Sequence, residues 1–537
     1  MLVSVQDVSA KSYDYSIVGG GTAGLTLAVR LSEDSNVSVL VLEAGGANID
    51  DPAILRPASY GSHLKNDDYD WNHRTTPQKY SGDVQYDWPR GKVLGGSSAI
   101  NFMCWTRPPA AEIDDIERLG NPGWNWKNFK KYSDKLERFV EPTAEIAKKH
   151  ELRTEGWMTS KVGSIIAAFP GTLYTPELEF QKSLLKFGIP YAKDPFGGDP
   201  KGPFLNPQTV DPVDSTRSYA VTILELSGIG KKSVLEKLNI PIQLDLPVGE
   251  NVQEHMYIGV TFELRNEVDT LSLDALRDPK ALEKHVELQK KNEGCFSMGL
   301  MGYSSMPLQA YSPRADEIHK AAKDKILANK DKYGPGVFEQ MKVHVDRLDR
   351  RAPGCEYVNF PGFLSFPNPP KPGKKYFTML VAMNHMFSRG TIHSTSKDPC
   401  ADPEYDPQYF KEQIDLDTFV ECVKFIQRLK DTAPFKDIIG AEINPGPKCT
   451  TDEQLQDWIK KYMSTTYHTS SSASMLPKDK GGVVDPKLKA SRTSFVYGVE
   501  NIRVCDLSIL PIHFAAHPQA SIYAFAEQAA DVIKGKI

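Results

Sequence analysis

Residues 13–18, Tyr-Asp-Tyr-Ser-Ile-Val, read as a short strand that runs straight into Gly19-Gly20-Gly21-Thr22-Ala23-Gly24. A helical stretch follows to Leu31, and a second strand, Val37 to Leu42, ends at Glu43. Strand, glycine turn, helix, strand and acid together form the βαβ dinucleotide-binding fingerprint in the context it requires. The three spaced glycines act separately. Gly19 permits the tight turn, Gly21 lets backbone approach a pyrophosphate, and Gly24 lets helix and strand pack closely. The helix N-terminus then offers free N–H groups and partial positive charge to phosphate. Glu43 falls about 20 residues beyond the last glycine, where a carboxylate accepts hydrogen bonds from ribose hydroxyls. The fingerprint alone does not choose between NAD and FAD.

The chain has 537 residues, with 40% hydrophobic and 25% charged, the composition of a folded protein of several domains. Lys+Arg 64 against Asp+Glu 69 leaves a net charge of -5, so no basic footprint points to nucleic acid. No apolar run approaches the ~20 residues of a membrane span. Met1 to Ser12 is polar and mixed, and the seven cysteines show no CxxC spacing, so a reduced, cytoplasmic setting is the expectation.

A second glycine-rich segment runs from Arg90 to Arg107, with Gly95-Gly96-Ser97-Ser98 at its centre. This segment resembles the first signature of the glucose–methanol–choline (GMC) family of FAD oxidoreductases. Further resemblances follow in order: Leu224 to Gly230, Val248 to His255, Ser388-Arg389-Gly390, Gly481 to Asp485, and Ile502 to Asp506. The resemblance implies an α/β fold in which a Rossmann-like FAD-binding domain is interleaved with an antiparallel-sheet substrate domain. The expected parts are 13–257 for the N-terminal FAD-binding part, 258–384 for an inserted substrate-side part, and 385–531 for the C-terminal part. In that part Ser388 to Gly390 would lie in the substrate-domain sheet, and Ile502 to Cys505 would form a strand before Asp506. It further implies FAD contacts from Thr22, Ala23 and Ala44 near the fingerprint. Trp71, Arg90, Val93, Gly96 and Ser98 would follow. Asn101, Phe102, Met103 and Cys104 would come next, then Tyr467, Asp506, Pro518 and Gln519.

The same resemblance puts His468 and His517 before the flavin as a catalytic pair. Imidazole suits alcohol oxidation, because a base with a pKa near working pH must take the hydroxyl proton while hydride leaves carbon. His468 is the expected base, and His517 the expected holder of the substrate oxygen. Pro518 would open a helix over Gln519 to Ile533, as proline suits a first turn. His513 and His517 are four apart, but Pro511 and Pro518 argue against one helix through both, so no metal site is expected. His255, His385 and His393 read as structural. Ile100 and Asn101 occupy the places where some relatives carry a flavin-linking histidine, and no histidine lies between His73 and His150, so FAD should be held non-covalently.

The expected activity is oxidation of a small-molecule alcohol to a carbonyl compound, with dioxygen or a quinone as electron acceptor. Two alternatives remain: a lyase or cyclase that keeps FAD without net redox chemistry, or an inactive truncated product without FAD. The second arises because the strands expected after Val221 are missing: Tyr219-Ala220-Val221-Thr222-Ile223 runs directly into Leu224-Glu225-Leu226. Either the gene product is incomplete or another segment fills the gap.

Overall fold

Strands β1 (Tyr15–Val18) and β2 (Val39–Leu42) pair in parallel, with Tyr15 opposite Val39 and Val18 opposite Leu42. Between them, α1 (Thr22–Leu31) starts at Gly21 and buries Ala23, Leu27 and Leu31. The structure is a computed structural model that describes residues 3–48, 51–59, 61–154, 160, 163–209, 229–230, 232–237, 239–240, 244–291, 293–398, 401–487 and 502–537. Among the described residues this parallel pair stands as a two-stranded sheet. Val18 and Leu42 remain 47% and 41% exposed, which is unusual because parallel sheets are normally covered on both faces. The gap expected after Val221 falls within 210–228, outside the described residues.

Helices α2 (Ala110–Arg118) and α3 (Trp126–Leu136) lead away from the fingerprint. Asn125 starts α3 by accepting a hydrogen bond from the Asn128 N–H, as an Asn at a helix N-cap commonly does. Beyond them lies a seven-stranded sheet built from β3 (Gly202–Leu205), β4 (Met256–Leu264), β5 (Gly302–Met306), β6 (Cys355–Phe360), β7 (Tyr376–Met383), β8 (Ile439–Asn444) and β9 (Ser464–Thr465). Its order is β8-β4-β7-β6-β5-β3, with β9 added to β4, and every pairing is antiparallel.

Strand alternation assigns the two faces of this sheet. Met379, Val381 and Met383 of β7 and Tyr357 of β6 pack in one core with three helices: α4 (Ala315–Ala328), α5 (Val337–Asp349) and α6 (Gln413–Leu429). The intervening residues Glu356, Val358, Leu380 and Ala382 look the other way, into a cavity. Glu356 sits opposite Ala382 and Val358 opposite Leu380, so β6 and β7 present one continuous patch to it.

The chain returns at its end to the dinucleotide side through α7 (Gln519–Ile533), which packs on α1 and α3. Its alanine-rich sequence allows close approach, and thirteen of its fifteen residues are buried. The charges it carries are matched: Arg30 Nε lies 2.9 Å from Glu527, Lys135 donates to Glu527 at 2.9 Å, and Tyr132 donates to Asp531 at 3.0 Å. A buried guanidinium also ties α5 to α2 and to the return segment. Arg347 Nε lies 2.9 Å from Asp115, and Nη1 donates to the His513 carbonyl at 2.6 Å.

Two local expectations fail. Ile502 to Cys505 form no strand; they run as irregular, half-buried chain against the α1–α7 core. Ser388 to Gly390 lie beyond the end of β7, not within the sheet. Gly390 instead exchanges two backbone hydrogen bonds with Val252, each 2.9 Å, and a Cβ there would come within 2.3 Å of the Asp406 carbonyl. Ile502 and Val504 are β-branched and suit a strand, but a strand needs a neighbour that only the assembled chain could supply. No helix among the described residues is long and apolar enough to cross a membrane.

Candidate active site

The fingerprint loop has the geometry its glycines demand. Gly19 has φ +93°, and a Cβ on Gly24 would lie 2.1 Å from the Gly19 carbonyl oxygen. Among the described residues no side chain caps the N-terminus of α1, so its dipole faces forward into the cavity, where Thr22 and Ala23 form one end. The Glu43 carboxylate braces this loop, accepting from Gly20 N and Gly45 N at 2.8 Å each. Gly95 N donates to the Gly20 carbonyl at 2.9 Å, which docks the second glycine segment on the first. Gly95 and Gly96 take φ +96° and +53°, and a Cβ on Gly91 would strike the Gly96 carbonyl at 2.1 Å.

The cavity holds about 2000 Å³ including its open mouth. Of the residues expected at the cofactor, Thr22, Ala23, Arg90 and Ser98 line it, as do Asn101, Phe102, Met103 and Cys104. Tyr467, Asp506, Pro518 and Gln519 join them from the C-terminal part, and so do His468 and His517. Gly19, Gly21, Gly24, Glu43, Val93 and Gly96 lie behind this wall and shape the backbone. Ala44 is exposed. Trp71 stands outside the wall, stacked on His73, which does line it. Asp506 caps the short turn Leu507–Ile509 by accepting from Ser508 N at 2.8 Å, and burial pushes its carboxyl up to about 6. Met103 and Tyr467 hold left-handed backbone, φ +57° and +66°, a strain of about 1–3 kcal/mol each of the kind that collects at functional sites.

His468 and His517 meet at the far end, ring centroids 4.8 Å apart. His517 Nε2 lies 2.6 Å from Glu356 Oε1. The other oxygen of Glu356 accepts from Tyr303 Oη at 2.7 Å and Asn384 Nδ2 at 2.6 Å. Burial works against a charge on His517, but the Glu356 carboxylate outweighs it and holds the imidazole well above its ordinary range. For Glu356 burial pushes upward, and the His517 charge more than offsets it, so the carboxyl sits below its usual value. His468 is the reverse case: burial first, then the neighbouring charge of His517, keeps it well below the ordinary histidine value. One imidazolium and one neutral imidazole therefore share the cavity.

Glu254 positions the second ring. Its Oε1 accepts from the backbone N–H of His255 at 2.9 Å and of His468 at 2.6 Å, and its Oε2 accepts from Thr469 Oγ1. Thr469 in turn meets Arg90 Nη2. Sequence reasoning missed Glu254 and Glu356 as parts of this site. The signal for Glu356 was a lone acid in the strand-like run Cys355–Phe360; for Glu254 it was the acid next to a histidine in the Val248–His255 segment. Part of the lining is aliphatic: Leu300, Val358, Leu364, Leu380 and Ala382, with Tyr257 also on the wall.

A glycine-rich dinucleotide cradle that opens onto a cavity lined by two histidines fits an oxidoreductase whose bound cofactor carries the redox chemistry. Comparison with known proteins agrees. The family signature described as GMC oxidoreductase matches residues 13–164 in its N-terminal part and 387–526 in its C-terminal part. The GMC oxidoreductase family protein Mala s 12 of Malassezia sympodialis is 31% identical over 604 residues, covering 98% of this chain and 93% of that protein. Dehydrogenase mpl7 of Monascus purpureus is 28% identical over 619 residues, covering 99% and 97%. Both alignments are longer than the 537 residues present here, so these relatives carry segments that this chain lacks. Among solved structures, an FAD-dependent oxidoreductase from Chaetomium thermophilum superposes with a TM-score of 0.86 at 26% identity, covering 98% of this chain and 99% of that one. A fungal aryl-alcohol oxidase superposes with a TM-score of 0.82 at 25% identity, covering 98% and 99%.

The chain belongs to the GMC oxidoreductase family. FAD is the cofactor of that family, and the residues here fit it: a glycine-only loop crossing, a helix N-terminus at the cavity that no side chain caps among the described residues, and Asp506 on the same cavity wall.

Proposed function

We propose that this chain oxidises the CH–OH group of an alcohol with an apolar body to a carbonyl, using non-covalently held FAD. The observation that carries the reading is the 2.6 Å His517–Glu356 contact with His468 beside it, both rings on the cavity wall. The chemistry FAD contributes when bound is acceptance of the hydride from the alcohol carbon. Thr22, Ala23, Ser98 and Asp506 would hold its phosphate and sugar portions, and Asn101 to Cys104 with Pro518 and Gln519 its ring.

His468, neutral and facing the cavity, takes the hydroxyl proton of the substrate. His517, held as imidazolium by Glu356, stabilises negative charge that grows on the substrate oxygen as that proton leaves. The aliphatic side chains of Leu300, Val358, Leu364, Leu380 and Ala382 offer no hydrogen-bond partner to a sugar and no charge to an ammonium group. Glu356, the acid on that wall, is already engaged by three donors.

The test is anaerobic mixing of FAD-loaded protein with benzylic and aliphatic alcohols, glucose and choline, followed by flavin absorbance. Bleaching by the apolar alcohols is expected. His468→Ala should slow it by about 10²–10⁴-fold, the usual contribution of a general base, with FAD content preserved. An unchanged rate removes His468 from the role, and bleaching by glucose or choline alone rejects the substrate class. Parallel turnover with dioxygen and with a quinone dye identifies the acceptor.

A further inference from the structure

His255 stands behind the catalytic wall. It is fully buried, does not line the cavity, and its Nδ1 lies 3.0 Å from Nδ1 of His468. One proton must occupy that contact, and its side decides what His468 can do. If it belongs to His468, Nε2 of that ring keeps its lone pair and can accept a proton. If it belongs to His255, His468 carries its proton on Nε2 and presents a donor where a base is needed.

Three observations bear on the choice. The imidazolium of His517 lies on the cavity side, ring centroids 4.8 Å from His468. Its positive field favours the lone-pair edge of His468 toward the cavity and the N–H edge away from it, toward His255. The third ring of the group is fixed: His513 Nδ1 accepts from Phe514 N at 2.9 Å, so its Nε2–H donates to the His468 carbonyl at 2.8 Å. His513 stacks on His255 with centroids 3.7 Å apart and 26° between planes, which sets the rotation of the His255 ring and keeps its Nδ1 aimed at His468. His255 Nε2 has no hydrogen-bond partner among the described residues. With Nδ1 accepting, neutral His255 carries its own proton on Nε2, so the field of His517 and the stacking on His513 must outweigh the cost of that unpartnered N–H.

We infer that His255 is a positioning residue: its Nδ1 accepts the Nδ1–H of His468 and thereby holds His468 in the tautomer whose Nε2 is free to take the alcohol proton. This rests on the alcohol-oxidation reading for its consequence, but the tautomer itself does not. Burial also keeps His255 well below the ordinary histidine range, so it stays neutral and able to accept.

The experiment uses FAD-loaded protein labelled with ¹⁵N-histidine, and His468 is assigned by the signal lost in His468→Gln. In the parent protein His468 should show a protonated Nδ1 and an unprotonated Nε2. Two variants follow. His255→Phe keeps the stacked ring but removes the acceptor; His255→Asn restores an acceptor at the Nδ1 position. His255→Phe should shift His468 toward the Nε2–H tautomer and slow anaerobic flavin reduction about 10- to 100-fold with unchanged FAD content. His255→Asn should restore both to within a few-fold. An Nε2–H signal for His468 in the parent protein overturns the inference, as does a His255→Phe rate within twofold of the parent. If His255→Phe does not fold, the parent spectrum and His255→Asn still decide. If no alcohol bleaches the parent flavin, the functional reading fails while the tautomer result stands separately.

Discussion

Replacing Glu356 with glutamine removes one negative charge and little else, because the amide nearly matches the carboxylate in volume. Its Oε1 partner is His517 Nε2 at 2.6 Å, and Tyr303 and Asn384 hold the other oxygen. A hydrogen bond to a charged partner is worth about 1.5–3 kcal/mol, and one pH unit corresponds to ~1.4 kcal/mol. The His517 proton should therefore be released about 1–2 pH units lower in the variant. The sign follows from the direction of the shift. The pKa of His517 is raised by Glu356, so its charge is present below that raised value and is lost as pH rises through it. The alkaline limb of kcat/KM should move down in Glu356→Gln, while the acid limb, set by the low value of His468, should stay where it is. The assay is initial-rate kcat/KM against pH with an apolar alcohol and a dye acceptor, after thermal melting and flavin absorbance have established equal folding and loading. An alkaline limb that does not move, or that moves upward, would refute the assignment of imidazolium to His517.

Gly24→Ala places a methyl 2.1 Å from the Gly19 carbonyl; the resulting overpacking should cost about 1–3 kcal/mol and release FAD, as read by melting and by flavin absorbance after gel filtration. Glu43→Ala removes the acceptor of the Gly20 and Gly45 N–H groups and should weaken FAD affinity in a fluorescence titration; unchanged affinity would remove Glu43 from the cofactor site. Acid precipitation should leave the flavin in the supernatant, and a yellow pellet would reject non-covalent binding.

Local pattern was legible wherever a short window carries its own reason. The turn from β1 to α1 needs a positive φ at Gly19 and no side chain at Gly24, and both demands are written as glycines. The start of α7 after Pro518 falls where proline suits a first turn. The His468–His517 pairing came from resemblance to a family, since neither residue is near the other in sequence.

Partnership was not legible. Glu356 and His517 are 161 residues apart and His255 and His468 are 213 apart. No local preference dictates that the alternation of β6 would turn Glu356, and not Tyr357, toward the cavity. Ile502 to Cys505 carry the composition of a strand and run as irregular chain. Backbone propensity is settled within a few residues of chain. Which carboxylate charges which imidazole depends on the register of a sheet whose strands are drawn from residues 202 to 465, and that register exists only once the whole sheet has closed.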